Sequence, residues 1–217
     1  MRAESGVFHT DLRRRLFVAG LSVLAALLLW YFVFVFPYGK FWIKMAIATP
    51  ILAAVSISQI VPRREDFRSI RLRHIIIGVG SAVFLYGVFF VGKQILAWIM
   101  PGSHGMIASV YATGQAIPLW IVALLLLFVT SPAEEIYWRR FIQRTLGDRF
   151  GRLPAFFVTV GLYTLVHVVT LNPALILAAF VAGSVWGLIF YYEQSIVPTL
   201  ISHALWATTI FVILPVM

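Results

Sequence analysis

Cysteine is absent from the 217 residues, which excludes disulfides, thiolate metal sites and a cysteine nucleophile. Charge is scarce as well. Only 12% of residues are Asp, Glu, Lys or Arg against 61% hydrophobic, and no water-soluble core needs so much apolar sequence. Acid is the scarcer sign, with 8 Asp and Glu against 17 Lys and Arg. Gly-x-Ser-x-Gly is missing, which weakens a serine-hydrolase reading, and His-Glu-x-x-His is missing, which weakens a zinc-peptidase reading. Internal repeats, low-complexity tracts and long linkers are also missing, so residues 1–217 read as a single integral membrane domain.

What is present is a series of long apolar runs punctuated by arginine. Leu16 to Phe36, Phe41 to Val61, Ile75 to Trp98, Ala116 to Arg144, Leu153 to Leu171, Ala174 to Tyr192 and Ser195 to Pro215 predict seven transmembrane helices. The expected fold class is therefore an all-α polytopic bundle. The first run ends without a small-residue cleavage site and is expected to stay as an anchor. Every arginine lies in or beside Arg2 to Arg15, Arg63 to Arg73, Arg139 to Arg144 or Arg149 to Arg152, while Lys40, Lys44 and Lys93 lie near the opposite ends of the runs. That positive-inside pattern predicts a cytoplasmic N-terminus, with residues 1–15 as a basic cytoplasmic segment, and Lys44 is expected to snorkel outward. The net charge of +9 thus reports topology; without a soluble fold to carry a basic face, nucleic acid is not an expected partner. Residues 101–115 read as an outer loop with a solvated His104, and Ala179, Gly183 and Gly187 as a small-residue stripe for close helix approach.

Two adjacent carboxylates, Glu134 and Glu135, follow the apolar run Ile117 to Val129. Ionisable groups at such a depth are functional by default, although a lone buried pair also serves as a structural brace. Neighbours on a helix point about 100° apart, so the two acids cannot serve one partner equally; Glu135 and Arg139 are i,i+4 in the favourable order. Glu134 is then left to face a cavity. Pro132 lacks the N–H that would bond one turn back, which predicts a kink just before the pair.

Counted at 1.5 Å per residue, Glu134 lies roughly 15 Å in from Arg144, His167 roughly 21 Å in from Leu153 and His203 roughly 12 Å in from Ser195. Three helices therefore bring acid and imidazole to a similar level. Singly, each histidine reads as a hydrogen-bonded interior group. Together with the acids they form equipment for activating water and stabilising an oxyanion. A serine route through Ser131 or Ser202 lacks an evident carboxylate-oriented histidine. Two readings outside hydrolysis stay open: a proton relay in a transporter, and a scaffold that grips membrane peptides.

Glu134-Glu135-Ile136-Tyr137-Trp138-Arg139 resembles an EExxxR motif, Tyr163-Thr164-Leu165-Val166-His167 an aromatic-xxx-His motif, and the segment Ser195 to Trp206 a third motif containing His203. In order and spacing, these are similar to the type II CAAX prenyl-endopeptidase family, also called the CPBP or ABI family of intramembrane proteases. The resemblance spans about Ser131 to Thr208, within the helices of residues 116–217. It implies a helical intramembrane endopeptidase of a prokaryotic cytoplasmic membrane, acting on a membrane-embedded or membrane-anchored peptide or protein. Glu134 and His167 would activate water and His203 would stabilise the oxyanion, with Glu135, Arg139 and Tyr163 in support. No cofactor is expected; zinc on Glu134, His167 and His203 is the second choice. Two positions depart from the family pattern. Ala207 stands where Asn or Asp is usual, removing an oxyanion donor unless Thr208 or another group supplies it, and Tyr163 replaces the commoner Phe, adding a hydroxyl that needs a partner.

Overall fold

The computed structural model describes residues 2–60, 70–112 and 117–216, with side chains from Asp11 onward. The end of the second apolar run at Val61, most of the arginine-bearing segment 63–73, the end of the expected outer loop 101–115 and the start of the run at Ala116 lie outside the described residues. Among the described residues eight helices follow one another: α1 Arg2–Phe34, α2 Phe41–Gln59, α3 Leu72–Ile99, α4 Ser103–Ala112, α5 Leu119–Phe150, α6 Arg152–Thr170, α7 Pro173–Glu193 and α8 Val197–Ile213. There is no strand among the described residues. Six of these helices are long and apolar enough to cross a membrane, and α8 is a shorter apolar helix, in keeping with a bundle of about seven spans. Their outward faces are apolar: Phe17, Leu28, Val83, Trp98 and Phe128 are each more than 60% exposed. Water would not tolerate such a surface, whereas hydrocarbon solvates it.

The helix ends follow local chemistry. Asn172 caps α7 by accepting from the Leu175 N–H at 3.1 Å, and Pro173 takes the first turn, where no backbone donor is required. Lys44 is folded toward the end of α1 and donates to the Phe36 carbonyl at 2.8 Å, so its charge is met on the lysine side of the bundle. The segment read from sequence as an outer loop holds a helix, α4. Long-range bonds hold this short element: Asn172 Nδ2 donates to the Met106 carbonyl at 2.9 Å, and the Val216 N–H donates to the Tyr111 hydroxyl at 3.0 Å. A ten-residue helix has little stability of its own, so such ties decide whether it forms. His104 on it is exposed.

Glycines let the motif-bearing helices meet. A Cβ on Gly183 would lie 2.7 Å from Tyr163 Cδ1, and one on Gly187 would lie 3.1 Å from the Phe156 ring, so α6 seats on the small-residue stripe of α7. Gly78 does the same for α3, where a Cβ would come within 2.7 Å of Ile201 on α8. At the arginine-rich end, Arg15 reaches Asp148 at 2.8 Å and joins α1 to α5, while Arg73 and His74 of α3 both meet Glu193 of α7.

The arginine asymmetry generates a test of orientation. Single cysteines placed at Tyr38 and Tyr192, exposed positions at opposite ends of the bundle in a chain without native thiols, are expected to label from opposite sides of the membrane, Tyr38 from outside. Labelling of both from one side by an impermeant maleimide would overturn the topology.

Candidate active site

The acids sit in the most irregular helix of the bundle. Leu126–Thr130 and Ile136–Gln143 wind as wide, π-type turns, and Ser131–Glu135 between them is α-helical. The sequence predicts a kink at Pro132. The helix runs from Leu119 to Phe150, with wide turns, at which helices commonly bend, flanking the segment that holds the proline.

Glu134 is 7% exposed, and its Oε2 accepts from the Tyr163 hydroxyl at 3.1 Å, the partner that the extra hydroxyl at this position requires. Glu135 is fully buried and turned elsewhere. Its Oε1 lies 3.3 Å from Arg139 Nη1 and 2.9 Å from His203 Nδ1. Arg139 donates through Nη2 to the Gly183 carbonyl at 3.0 Å, and its guanidinium lies over the rings of Tyr163 and Trp186. Trp186 also stacks on His203, with centroids 3.8 Å apart and planes 17° from parallel. One carboxylate thus holds a cation on its own helix and an imidazole on α8.

His167 has both ring nitrogens engaged. The Trp30 indole donates to Nε2 at 3.1 Å, and Nδ1 lies 2.8 Å from the Tyr163 carbonyl. An indole N–H can only donate, so Nε2 accepts and the ring proton resides on Nδ1, bonded to Tyr163. Trp30 and Phe34, both from α1, pack edge-on against the ring.

Glu134, Tyr163, His167 and His203 line one cavity of about 320 Å³, together with Ser131 and Ala207. An apolar chamber of about 180 Å³ adjoins it, sharing Leu175, Ala178, Trp206 and Phe211 as wall. The three residues singled out as catalytic from sequence therefore come together, and the supporting residues surround them.

Several features differ from the sequence reading. A carboxylate-oriented histidine does exist: it is His203, held by Glu135 from another helix. The serine route nonetheless lacks a base, since Ser202 Oγ accepts from Trp186 at 3.1 Å and Ser131 Oγ has no hydrogen-bond partner. Thr208, the neighbour that could have replaced the donor missing at Ala207, is buried outside the cavity wall. Trp30 was not anticipated, because a tryptophan in a first span reads as an ordinary lipid or core residue. Among the described residues no group of three His, Asp or Glu side chains is placed to hold a metal ion, and in this arrangement both nitrogens of His167 are engaged.

Fold and cavity together define a helical membrane protein with a buried acid–imidazole centre. Residues 115–209, somewhat under half of the chain, match the family model described as Rce1-like, type II CAAX prenyl endopeptidase, the family that the three motifs resemble. The match supports a CAAX-type intramembrane endopeptidase as the general class and membrane-anchored proteins as the substrates of that class. No curated protein and no solved structure matches the chain.

The Glu135 network generates a prediction about stability. Glu135→Gln leaves the Arg139 cation buried without its counter-charge, a loss of roughly 3–5 kcal/mol, and lowers the melting temperature in detergent. Adding Arg139→Gln is expected to return most of that loss without restoring activity, because the neutral amide at position 135 no longer supplies the negative charge beside His203. Equal melting of Glu135→Gln and the parent would show that the pair is not a brace.

Proposed function

We propose that the protein is an intramembrane endopeptidase that hydrolyses a peptide bond of a membrane-associated substrate, lipidated or a C-terminal anchor, with a carboxylate rather than a metal as the base. The observation that carries this reading is the division between the acids: Glu134 opens on the cavity while Glu135 is turned onto Arg139 and His203. Water bound beside Glu134 loses a proton to the carboxylate as its oxygen attacks the scissile carbonyl carbon. The carbonyl π electrons move onto oxygen, and the oxyanion is met by the Nε2–H of His203 in its imidazolium form, whose Nδ1–H donates to Glu135. Glu134 then returns the proton to the departing amine. His167 joins Glu134 once its Nε2 exchanges the Trp30 indole for the water. The cytoplasmic membrane of a prokaryote is the proposed location. The apolar chamber beside the cavity supports an apolar flank on the substrate, as a lipid chain or a transmembrane segment would supply.

Two predictions test this chemistry. Glu134→Gln keeps size and hydrogen bonding while removing basicity, so cleavage of a membrane-anchored reporter peptide is expected to vanish with the melting temperature unchanged. Cleavage by the parent is expected to survive EDTA or phenanthroline. Retained cleavage in Glu134→Gln would refute the assignment, and activity lost to chelation and restored by zinc alone would transfer it to a metal. A transporter or a scaffold would cleave nothing in either assay.

A further prediction concerns Trp30. A net hydrogen bond is about 0.5–1.5 kcal/mol, so Trp30→Phe, which frees His167 Nε2, is expected to raise kcat by up to about tenfold in protein that remains folded. A tenfold fall instead would mean that the indole holds the working tautomer and that His167 never exchanges it.

A further inference from the structure

We infer that Ser131 is a further catalytic residue, a hydroxyl donor to the oxyanion beside His203. The inference rests on the hydrolytic reading above. Serine and threonine inside a membrane helix normally bond to a carbonyl three or four residues back, since lipid offers nothing else. This chain does so repeatedly: Thr49 to Met45, Ser56 to Leu52, Thr164 to Val160 and Ser184 to Phe180, all at 2.7–2.9 Å. Ser131 does not. It is 1% exposed and its Oγ has no partner, directly after the wide turn Leu126–Thr130 and three residues before Glu134 on the same helix face. Other buried hydroxyls without a partner are those of Ser103, Thr145, Thr159 and Thr208, and none of these four lines the cavity, whereas Ser131 does.

The remaining polar groups of the cavity leave a role open. Tyr163 donates to Glu134, both nitrogens of His167 are engaged, and His203 has one nitrogen on Glu135, so a single N–H is left for the developing charge. Trp42 and Trp206 also line the cavity with unpartnered indole N–H groups. Both rings are wedged, Trp42 edge-on between Phe41 and Phe211 and Trp206 between Phe89 and Trp186, and cannot turn toward a charge as it forms. A serine hydroxyl can, by rotation about one bond. Ser131 donates a hydrogen bond only; it forms no covalent bond, because no base is bonded to it to take its proton.

Ala207, on the same cavity wall, provides an independent means of restoring a donor. Ser131→Ala is expected to lower kcat by roughly 10- to 100-fold with KM nearly unchanged, the loss associated with one oxyanion donor. Ser131→Thr, which keeps the hydroxyl, is expected to retain most of the rate. Ala207→Asn is expected to raise kcat about tenfold or more in the Ser131→Ala background but less than about threefold in the parent, where the position is served. Thermal melts of the four variants and the parent in detergent are expected to agree. If Ser131→Ala cleaves like the parent, or if Ala207→Asn has the same effect in both backgrounds, Ser131 is not the donor. A loss in Ser131→Ala as complete as that in Glu134→Gln would also overturn the role, pointing to a nucleophile. Glu134→Gln, measured alongside, separates the two levels: activity retained there refutes the hydrolytic mechanism, whereas activity lost there with Ser131→Ala silent refutes this inference alone.

Discussion

A carboxylate that cannot reach water governs the centre of this bundle. Glu135 is fully buried, and an isolated charge in such a place is not sustainable; it persists because Arg139 and His203 converge on one of its oxygens. The consequences spread outward. Arg139 needs further contacts, found in the Gly183 carbonyl and the faces of Tyr163 and Trp186, and these require α7 to lie close to α5 and α6. Close approach in turn requires glycine at 183, where a methyl group would strike the Tyr163 ring. His203, stacked on Trp186 and held at one nitrogen, has its remaining nitrogen fixed in direction. A structural ion pair and a positioned imidazole are therefore one device. The brace reading and the proposed catalytic reading of the two acids do not compete, since Glu135 is engaged with Arg139 and His203 while Glu134 lines the cavity.

The wide turns of α5 belong to the same logic. A regular helix carrying Pro132 would lose one bond and strain a carbonyl in surroundings with no water to compensate. Wide turns on either side accommodate that defect and leave backbone and hydroxyl groups with altered partners. Thr130 bonds to the Leu125 carbonyl, five residues back, at a long 3.3 Å, and Ser131 bonds to nothing. Irregular backbone within a membrane is tolerated where it borders protein or a polar cavity, and here it borders the cavity that holds Glu134.

What could be read from the sequence was what depends on local period. The apolar runs gave the spans, the 100° step between Glu134 and Glu135 gave their separate partners, and residue counts placed His167 and His203 at the level of the acids. Pairings across large separations were hidden. Glu135 and His203 are 68 residues apart, and Trp30 and His167 are 137 apart, so no spacing rule connects them. The helix at Ser103–Ala112 escaped notice for a related reason: it is secured by Asn172 and by the backbone of Val216, not by its own ten residues. The proline was recognised, but the wide turns on either side of it are not readable from the residue types.

The family match begins at residue 115, yet the cavity is not built from that region alone. Trp30 and Phe34 of α1 close over His167, Trp42 and Met45 of α2 form wall, and Ser22 of α1 accepts from Tyr137 at 3.1 Å just beyond the acids. Remove the first two helices and His167 loses the partner of its Nε2, the Tyr137 hydroxyl is orphaned, and Glu134 faces lipid. A carboxylate base needs a pocket that admits water and excludes hydrocarbon, because its charged form is not sustainable otherwise. In this chain the residues assigned to the proposed reaction lie in the matched segment, and the enclosure that Glu134 would need as a base is completed by the helices before it.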